Sequence, residues 1–371
     1  MLGAHKYGKA QVKNVATIKD IAKYAGVSIG TVDRVLHGRG RVSGETRQKI
    51  EEAVKQLQYT PNAVAQGLAA NKKKFHLCFF VPDAARNPFF ADITAAAQAQ
   101  AQKLAQYGVS VQILTLAMNG LQAEYDPSLF PEAYAQAAAE ADGIALPGVV
   151  YPGLTECITA LAARKMPLVF YNSLTLPLPH LAYVGCDYRK SGRLAAGLAA
   201  LAGGEAARVG IFSQALYACG ARRSTENLDS YASRLAGFRA EMQQRYPAMQ
   251  ILDCYNIDRD RAVNAQTVQQ ALRAHPDMNL VYVVNPADYE ICTLLRAADP
   301  GRRLRIITND LCGSQIRMVE DGTIAATICQ EPEKQGALPL TLLYRYLAYG
   351  RLPVQEDCYT KLSIHIAQNL L

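Results

Sequence analysis

Polar residues fall directly behind a series of apolar runs in this sequence of 371 residues. Asp83, Arg86 and Asn87 follow Leu77-Cys78-Phe79-Phe80-Val81, and Asn172 and Ser173 follow the run 167–171. Further along come Ser213 with Gln214, Asn285, Asn309 with Asp310, and Gln330, while Phe89, Phe90 and Tyr171 stand nearby. Planar amides and carboxylates bond in two directions at once, and flat aromatic faces cover ring carbons. That combination suits a polyhydroxylated ligand such as a sugar. Any one of these residues also fits a turn or a cap; their coincidence at successive strand ends is the signal.

A second set lies near the start of the chain. Ile29, Gly30, Asp33 and Arg34 share the outer face of a short helical pattern, where side chains of a helix seated in a DNA major groove would meet base edges. Arg34 leads this set, since a guanidinium fork can bond two acceptors of guanine together. Thr17, Ser28, Thr31, Arg41, Ser43 and Arg47 are placed to hold phosphates, which positions a protein without reading sequence.

The elements that must carry these groups are legible. Thr17-Ile18-Lys19-Asp20 has the form of a capping box, and Ile18, Ile21 and Ala22 make a stripe ending at Ala25-Gly26. Val27 points to the core, Ser28 can cap a second helix reaching about Leu36, and Ser43-Gly44-Glu45-Thr46 opens a third that carries Ile50, Val54 and Leu57. Two short helices braced by a third describe a helix-turn-helix. The competing description is a basic three-helix bundle that touches no nucleic acid, with Arg34 as a solvated charge.

Charge bears on both descriptions. The formal net charge is +7, yet residues 1–74 hold 14 Lys and Arg against 5 Asp and Glu, and the rest of the chain 25 against 27. Such asymmetry points to a polyanion partner for the first fifth of the chain, nucleic acid or an anionic membrane surface. With half the residues apolar and 19% charged, wholesale disorder is excluded and a large core is available. No secretory signal and no membrane-length apolar run are evident. Nine dispersed cysteines without a CxxC pair are expected as reduced thiols of a cytoplasmic protein. No metal and no cofactor are expected. Neither is catalysis: there is no dinucleotide fingerprint, P-loop, nucleophile elbow or His-x-x-x-His pair.

From Phe75 onward apolar runs alternate with helical stretches: a helix from Pro88 to Tyr107, a strand over 110–116, and so on to a strand over 324–329. This βαβ alternation predicts parallel sheets covered by helices on both faces. The number of strands exceeds a comfortable single sheet, so two doubly wound α/β lobes are expected, with ligand beyond the carboxyl ends of the strands.

The run Ala16–Ala69 resembles the DNA-binding headpiece of the LacI/GalR regulators. The likeness rests on Ala25-Gly26-Val27-Ser28, on Thr31-Val32-Asp33-Arg34-Val35 and on Tyr59-Thr60-Pro61-Asn62. It implies a hinge, including Asn62, that turns helical over 62–70 when a dimer sits on its operator, with Leu68 wedged into the minor groove. Ala65, Gly67 and Ala69 fit this, because small residues let two backbones approach. Asp33 where Ser is commonest, together with Gly30, implies an unusual operator sequence. Residues 75–371 resemble the family's effector domain, built like type I periplasmic sugar-binding proteins. On that resemblance Asp83, Asn87, Phe89, Phe90, Asn172, Arg234, Asn285, Asp310 and Gln330 contact ligand. Arg234 falls where the family places a ligand-gripping Arg, three residues before Gly237-Phe238; its alternative partners are Asp229 or Glu241. Asn172-Ser173 replaces the Asp-Arg common in sugar binders, which shifts the expected ligand away from ribose.

The expected organisation is a disordered basic arm over 1–15, a helix-turn-helix domain over 16–60, a hinge helix and linker over 61–74, and an effector-binding and dimerisation domain over 75–371. Within the last, lobe one is 75–185 plus 331–355, and lobe two is 186–330 plus 356–371. The expected function is a cytoplasmic, homodimeric (or tetrameric) transcriptional regulator, a repressor. It binds a pseudo-palindromic double-stranded DNA operator under control of a small carbohydrate or related polyol. The alternatives are a nucleobase- or nucleoside-sensing regulator, and a solute-binding receptor that binds no DNA. No membrane association is expected.

Overall fold

The structure, a computed structural model, describes residues 18–36, 42–57, 73–85, 87–116, 132–148, 154–174, 178–213, 228–258, 260–284 and 290–370. The chain divides into two compact units at Lys73/Lys74. The arm over 1–15, Thr17, Arg41 and the hinge with Asn62 and Leu68 lie outside the described residues, as do Arg86, Gln214 and Asn285.

Among the described residues of the first unit are the helices α1 (Ile18–Ala25), α2 (Ile29–Leu36) and α3 (Gly44–Gln56). Gly26, at φ +66°, closes α1 in the left-handed conformation that costs a glycine little. Ser28 caps α2, its Oγ accepting from Thr31 N at 3.1 Å, and Ser43 Oγ accepts from Thr46 N at the start of α3. Ile21, Ala22, Val32, Val35, Ile50 and Ala53 form one buried cluster, each helix contributing its apolar stripe. Substituting Ile21, Val32 or Ile50 by Ala would cost about 2–4 kcal/mol, enough to unfold so small a core.

The second unit contains two parallel sheets. The first lobe is built from β1 (Phe75–Pro82), α4 (Phe89–Ala105), β2 (Val109–Leu116), α5 (Glu132–Glu140), β3 (Gly143–Gly148), α6 (Leu154–Ala163), β4 (Leu168–Leu174) and β5 (Ala182–Gly185). The second comprises α7 (Tyr188–Gly203), β6 (Arg208–Ser213), α8 (Leu228–Arg245), β7 (Gln250–Asn256), α9 (Arg261–Ala274), β8 (Leu280–Val283), α10 (Glu290–Ala298), β9 (Arg305–Asn309), α11 (Gly313–Glu320) and β10 (Ala326–Cys329). The chain continues as α12 (Pro332–Tyr349), β11 (Asp357–Tyr359) and β12 (Ser363–His365).

Sheet order is β11-β5-β4-β3-β1-β2 in the first lobe and β12-β10-β9-β8-β6-β7 in the second. Among the described strands only β12 runs antiparallel to its neighbour. The central strands are apolar without alternation because both faces are covered, as expected of parallel sheets. Cys78, Phe80, Ile144, Leu146, Leu168 and Phe170 pack under α5 and α6. Val209, Ile211, Leu280, Tyr282, Ile307 and Ile328 pack under α7 and α8.

One boundary differs from expectation. Residues 356–371 do not all belong to the second lobe: β11 pairs in parallel with β5, Cys358 opposite Val184, and so completes the first sheet, while β12 joins β10 in the second. Strands of three residues leave no hydrophobic period to read, so their partner is invisible in sequence. The chain therefore passes between lobes three times: after β5, after β10 and between β11 and β12.

Among the described residues no helix is long and apolar enough to cross a membrane, and no cluster of His, Cys, Asp and Glu could hold a metal ion. The described cysteines are free thiols, with Cys78, Cys186, Cys292, Cys312 and Cys329 buried.

Candidate functional site

In the first unit the outer face of α2 presents Ile29, Gly30 and Arg34 to solvent, with Asp33 half-buried. The Arg34 side chain lies back along its own helix: Nε donates to the Gly30 carbonyl at 3.2 Å and Nη2 to Thr31 Oγ1 at 3.3 Å. Thr31 Oγ1 also bonds Ser28 Oγ at 2.9 Å. Both bonds of Arg34 are exposed to water and can be exchanged for a stronger bidentate acceptor. Arg47 and Ser43 are exposed at the start of α3.

In the second unit the candidate ligand residues gather at carboxyl ends of strands, where open α/β sheets hold small molecules. Asn172 lies near the end of β4, Asp310 follows β9, and Gln330 follows β10. Arg234 comes from α8, and its placement is a matter of close helix contact. Gly192 of α7 lies against the Arg234 carbonyl, and Gly237 of α8 against the Arg189 carbonyl, each so near that a Cβ would collide with backbone. These two glycines let α7 and α8 cross tightly enough to bring Arg234 under the first turn of α7.

There the guanidinium sits 5.0 Å from the centre of the Tyr188 ring, in cation–π geometry. Nη1 donates to the Val284 carbonyl at 3.2 Å, and Nη2 lies 3.9 Å from Asp310 Oδ2. Arg234 is 3% exposed, and its Nε is buried without a hydrogen-bond partner. An orphaned buried donor is costly unless a ligand satisfies it. Of the alternatives open from sequence, Glu241 is instead held by Arg193 at 2.7 Å and Arg245 at 3.3 Å.

Asp310 adopts φ +67°, outside the comfortable range of a non-glycine residue. Its Oδ1 accepts from Gln330 Nε2 at 2.7 Å. Burial pushes the Asp310 carboxyl above its ordinary value, and Arg234 and Gln330 offset only part of that rise. Burial also opposes the charge on Arg234, but Asp310 together with Cys186, Tyr282 and Tyr188 more than offsets it and keeps the guanidinium protonated.

Asn172 also has a left-handed backbone, at φ +61°. Its carbonyl accepts from Tyr183 Oη at 2.9 Å and from Tyr188 Oη, and its Nδ2 donates to Gln335 Oε1 at 3.2 Å. Asn172, Arg234, Asp310 and Gln330 are thus brought into one bonded network. Asp83, Asn87, Phe89 and Phe90 group at the carboxyl end of β1. There Asp83 Oδ1 accepts from Ala85 N at 2.9 Å, Asn87 Oδ1 accepts from Phe89 N at 3.2 Å, and the two rings meet edge to face, 5.3 Å apart. Both rings are largely buried.

Sequence reasoning missed three residues that support this network. Tyr188 and Tyr183 grip Asn172 from α7 and β5, and Gln335 bridges from α12. Asp187 at the lobe crossing, which caps α7 by accepting from Lys190 N at 2.9 Å, is the one local signal that could have pointed toward Tyr188. Asn309 proves internal: it is fully buried, accepts from Ser191 Oγ at 3.1 Å and donates to the Val284 carbonyl at 2.8 Å.

Residues 78–351 match the family described as "Periplasmic binding protein domain", and residues 17–62 match "Bacterial regulatory proteins, lacI family". The HTH-type transcriptional regulator pepR1 of Lactobacillus delbrueckii subsp. lactis is 45% identical over 82 residues, 22% of this chain and 24% of its own. The ribose operon repressor of Haemophilus influenzae is 42% identical over 89 residues, 24% of this chain and 26% of its own. The matched stretch spans about a quarter of the length of these curated relatives. Among solved structures, GanP, a glucose-galactose binding protein from Geobacillus stearothermophilus, aligns with a TM-score of 0.65 at 23% identity, covering 80% of this chain and 99% of its own. A putative LacI transcriptional regulator from Bacteroides fragilis does so with 0.65 at 22%, covering 80% and 98%. The chain belongs to the periplasmic-binding-protein domain family and carries, ahead of that domain, the helix-turn-helix of the LacI-family regulators.

Proposed function

We propose that this protein is a ligand-responsive transcriptional repressor that binds a pseudo-palindromic DNA operator through α2 and senses a small carbohydrate or related polyol between its two lobes. The observation that carries this reading is the pairing, in one chain, of two chemistries. An exposed Arg34 stands on a capped recognition helix, and a buried, under-bonded Arg234 faces Asp310 at the ends of parallel strands. One guanidinium and one carboxylate make the pocket nearly neutral. Hydroxyl groups, which both donate and accept, satisfy such a pair better than an anion does. The names of the relatives agree in kind, a ribose operon repressor for the first unit and a sugar-binding protein for the second.

A single headpiece reads one half-site, so the working form is a homodimer, in the cytoplasm where its DNA lies. Arg34, Ile29, Gly30 and Asp33 read bases. Thr17, Ser28, Thr31, Arg41, Ser43 and Arg47 anchor phosphates, and Asn62 and Leu68 belong to the hinge. Asp83, Asn87, Phe89, Phe90, Asn172, Arg234, Asn285, Asp310 and Gln330 take the effector. The test has two arms. A duplex selected from a randomised pool by the purified protein should bind with a steep salt dependence, several decades of affinity lost between 50 and 200 mM salt at roughly 6–10 phosphate contacts. A thermal-shift panel of neutral sugars, sugar acids and nucleobases should then show stabilisation by a neutral sugar, which raises apparent stability by mass action. Stabilisation by a nucleobase alone would transfer the reading to a purine-type effector, and failure to select any duplex would remove the regulator.

A further inference from the structure

Six residues form a closed circuit across the lobes. Starting at Asn172 on β4 of the first lobe, Nδ2 donates to Gln335 Oε1 at 3.2 Å. Gln335 Nε2 donates to the Gln330 carbonyl at 2.9 Å, and Gln330 Nε2 donates to Asp310 Oδ1 at 2.7 Å. Asp310 faces Arg234, Arg234 lies over Tyr188, and Tyr188 Oη returns to the carbonyl of Asn172. Gln330, Asp310, Arg234 and Tyr188 belong to the second lobe and Asn172 to the first.

Gln335 occupies the point where the circuit passes between lobes on the side-chain route. It is 0% exposed, in the first turn of α12 just after the second crossing. Beyond it α12 docks on the first lobe, with Gln100 Nε2 of α4 donating to Thr341 Oγ1 at 3.0 Å and Tyr107 stacked on Tyr344. The amide is used at both ends, and its orientation is fixed by its neighbours. Reversed, its NH2 would face the NH2 of Asn172 and its carbonyl the carbonyl of Gln330. A buried group with both ends satisfied in one orientation only transmits displacement, because moving either lobe strands a donor or an acceptor.

We propose that Gln335 is a positioning residue that couples occupancy of the Asp310–Arg234 pocket to the arrangement of the two lobes, a role that rests on the pocket reading above. Ligand hydroxyls that engage Asn172 pull directly on one partner of Gln335, and those that engage Asp310 pull on the other, Gln330, through the bond between them. The residue need not touch ligand to report it.

The full-length chain tests this through Gln335→Met, which keeps volume and removes both bonds, and Gln335→Glu, which keeps an acceptor toward Asn172 but sets a carboxylate against the two oxygens of Gln330. In ligand-free protein, hydrogen exchange should accelerate in 169–174 of the first lobe and in 328–335 together. Acceleration confined to 328–335 in the variants that fold overturns the proposal. With D-galactose, D-ribose and D-arabinose as probes, each variant should keep its sugar Kd within about tenfold of wild type. The ratio of operator affinities without and with saturating sugar should meanwhile collapse to within about twofold of unity. A wild-type ratio in either variant overturns the proposal. If the unsubstituted protein binds none of these sugars, the carbohydrate reading falls by itself and the exchange experiment alone decides the role of Gln335.

Discussion

Replacing Asp310 by asparagine separates a structural ion pair from a functional one. Two unit charges 3.9 Å apart attract by about 4 kcal/mol at an effective dielectric constant of about 20. Taking ions out of water costs several kcal/mol each. The direction of the Asp310 shift says which wins: burial raises its pKa, and Arg234 and Gln330 do not bring it back. A carboxyl with a raised folded pKa contributes stability below its unfolded value, near 3.8, and loses that contribution as pH rises through the folded pKa. At pH 7 the charged form is therefore a burden on the folded state. The amide introduced by Asp310→Asn mimics the protonated form while still accepting from Gln330. Calorimetry at pH 7 should find Asp310→Asn within about 1 kcal/mol of wild type, on the stabilised side, with the difference closing as pH falls. Effector titration should show affinity reduced by about 10–150-fold, the worth of one charge-assisted hydrogen bond of about 1.5–3 kcal/mol. A destabilisation of more than about 3 kcal/mol would refute the reasoning, since the pair would then be holding the lobe together.

Arg34→Ala should erase preference for the selected operator over scrambled duplex, by about 1–3 kcal/mol per half-site, in fluorescence anisotropy at fixed salt, and leave sugar binding unchanged. Gly192→Ala drives a methyl into the Arg234 carbonyl; urea denaturation should show a loss of about 1–3 kcal/mol or more, and effector binding should weaken with it because Arg234 is displaced. Effector affinity of the unsubstituted protein should fall on acidification, starting above the range where an exposed Asp titrates, since a protonated Asp310 accepts fewer hydroxyl donors; calorimetric titration from about pH 7 to about pH 5 checks it.

Much of the architecture is legible because its signals are local. Gly26 and Ser28 punctuate the headpiece through backbone geometry and capping, which depend on neighbours in sequence alone. The apolar runs at β1 and β8 announce strands covered on both faces. Strand ends also announce Asn172, Asp310 and Gln330, since a polar residue after an apolar run has few other reasons to be there. Arg234 needed family resemblance, because its partners Val284 and Asp310 stand far along the chain, the first of them 50 positions away. Gln335 was not legible at all, and Tyr188 only through the Asp187 cap before it. An amide in a helix and a tyrosine after a cap look like surface and core until three-dimensional pairing gives them Asn172 in common. The displaced segment 357–359 failed for a related reason: its partners on β5, Tyr183 to Gly185, lie almost half the chain earlier, and three residues carry no period.

The threefold passage of the chain between sheets has a consequence for taking the molecule apart. A fragment that stops after β10 deprives the first lobe of its α12 cover and its β11 border, so neither half exists as a continuous stretch of polypeptide. Genetic exchange that swaps one sensor half for another must therefore recombine at several points at once. On the proposed reading, ligand preference in such a chain is easier to alter by point substitution at the strand ends than by shuffling modules.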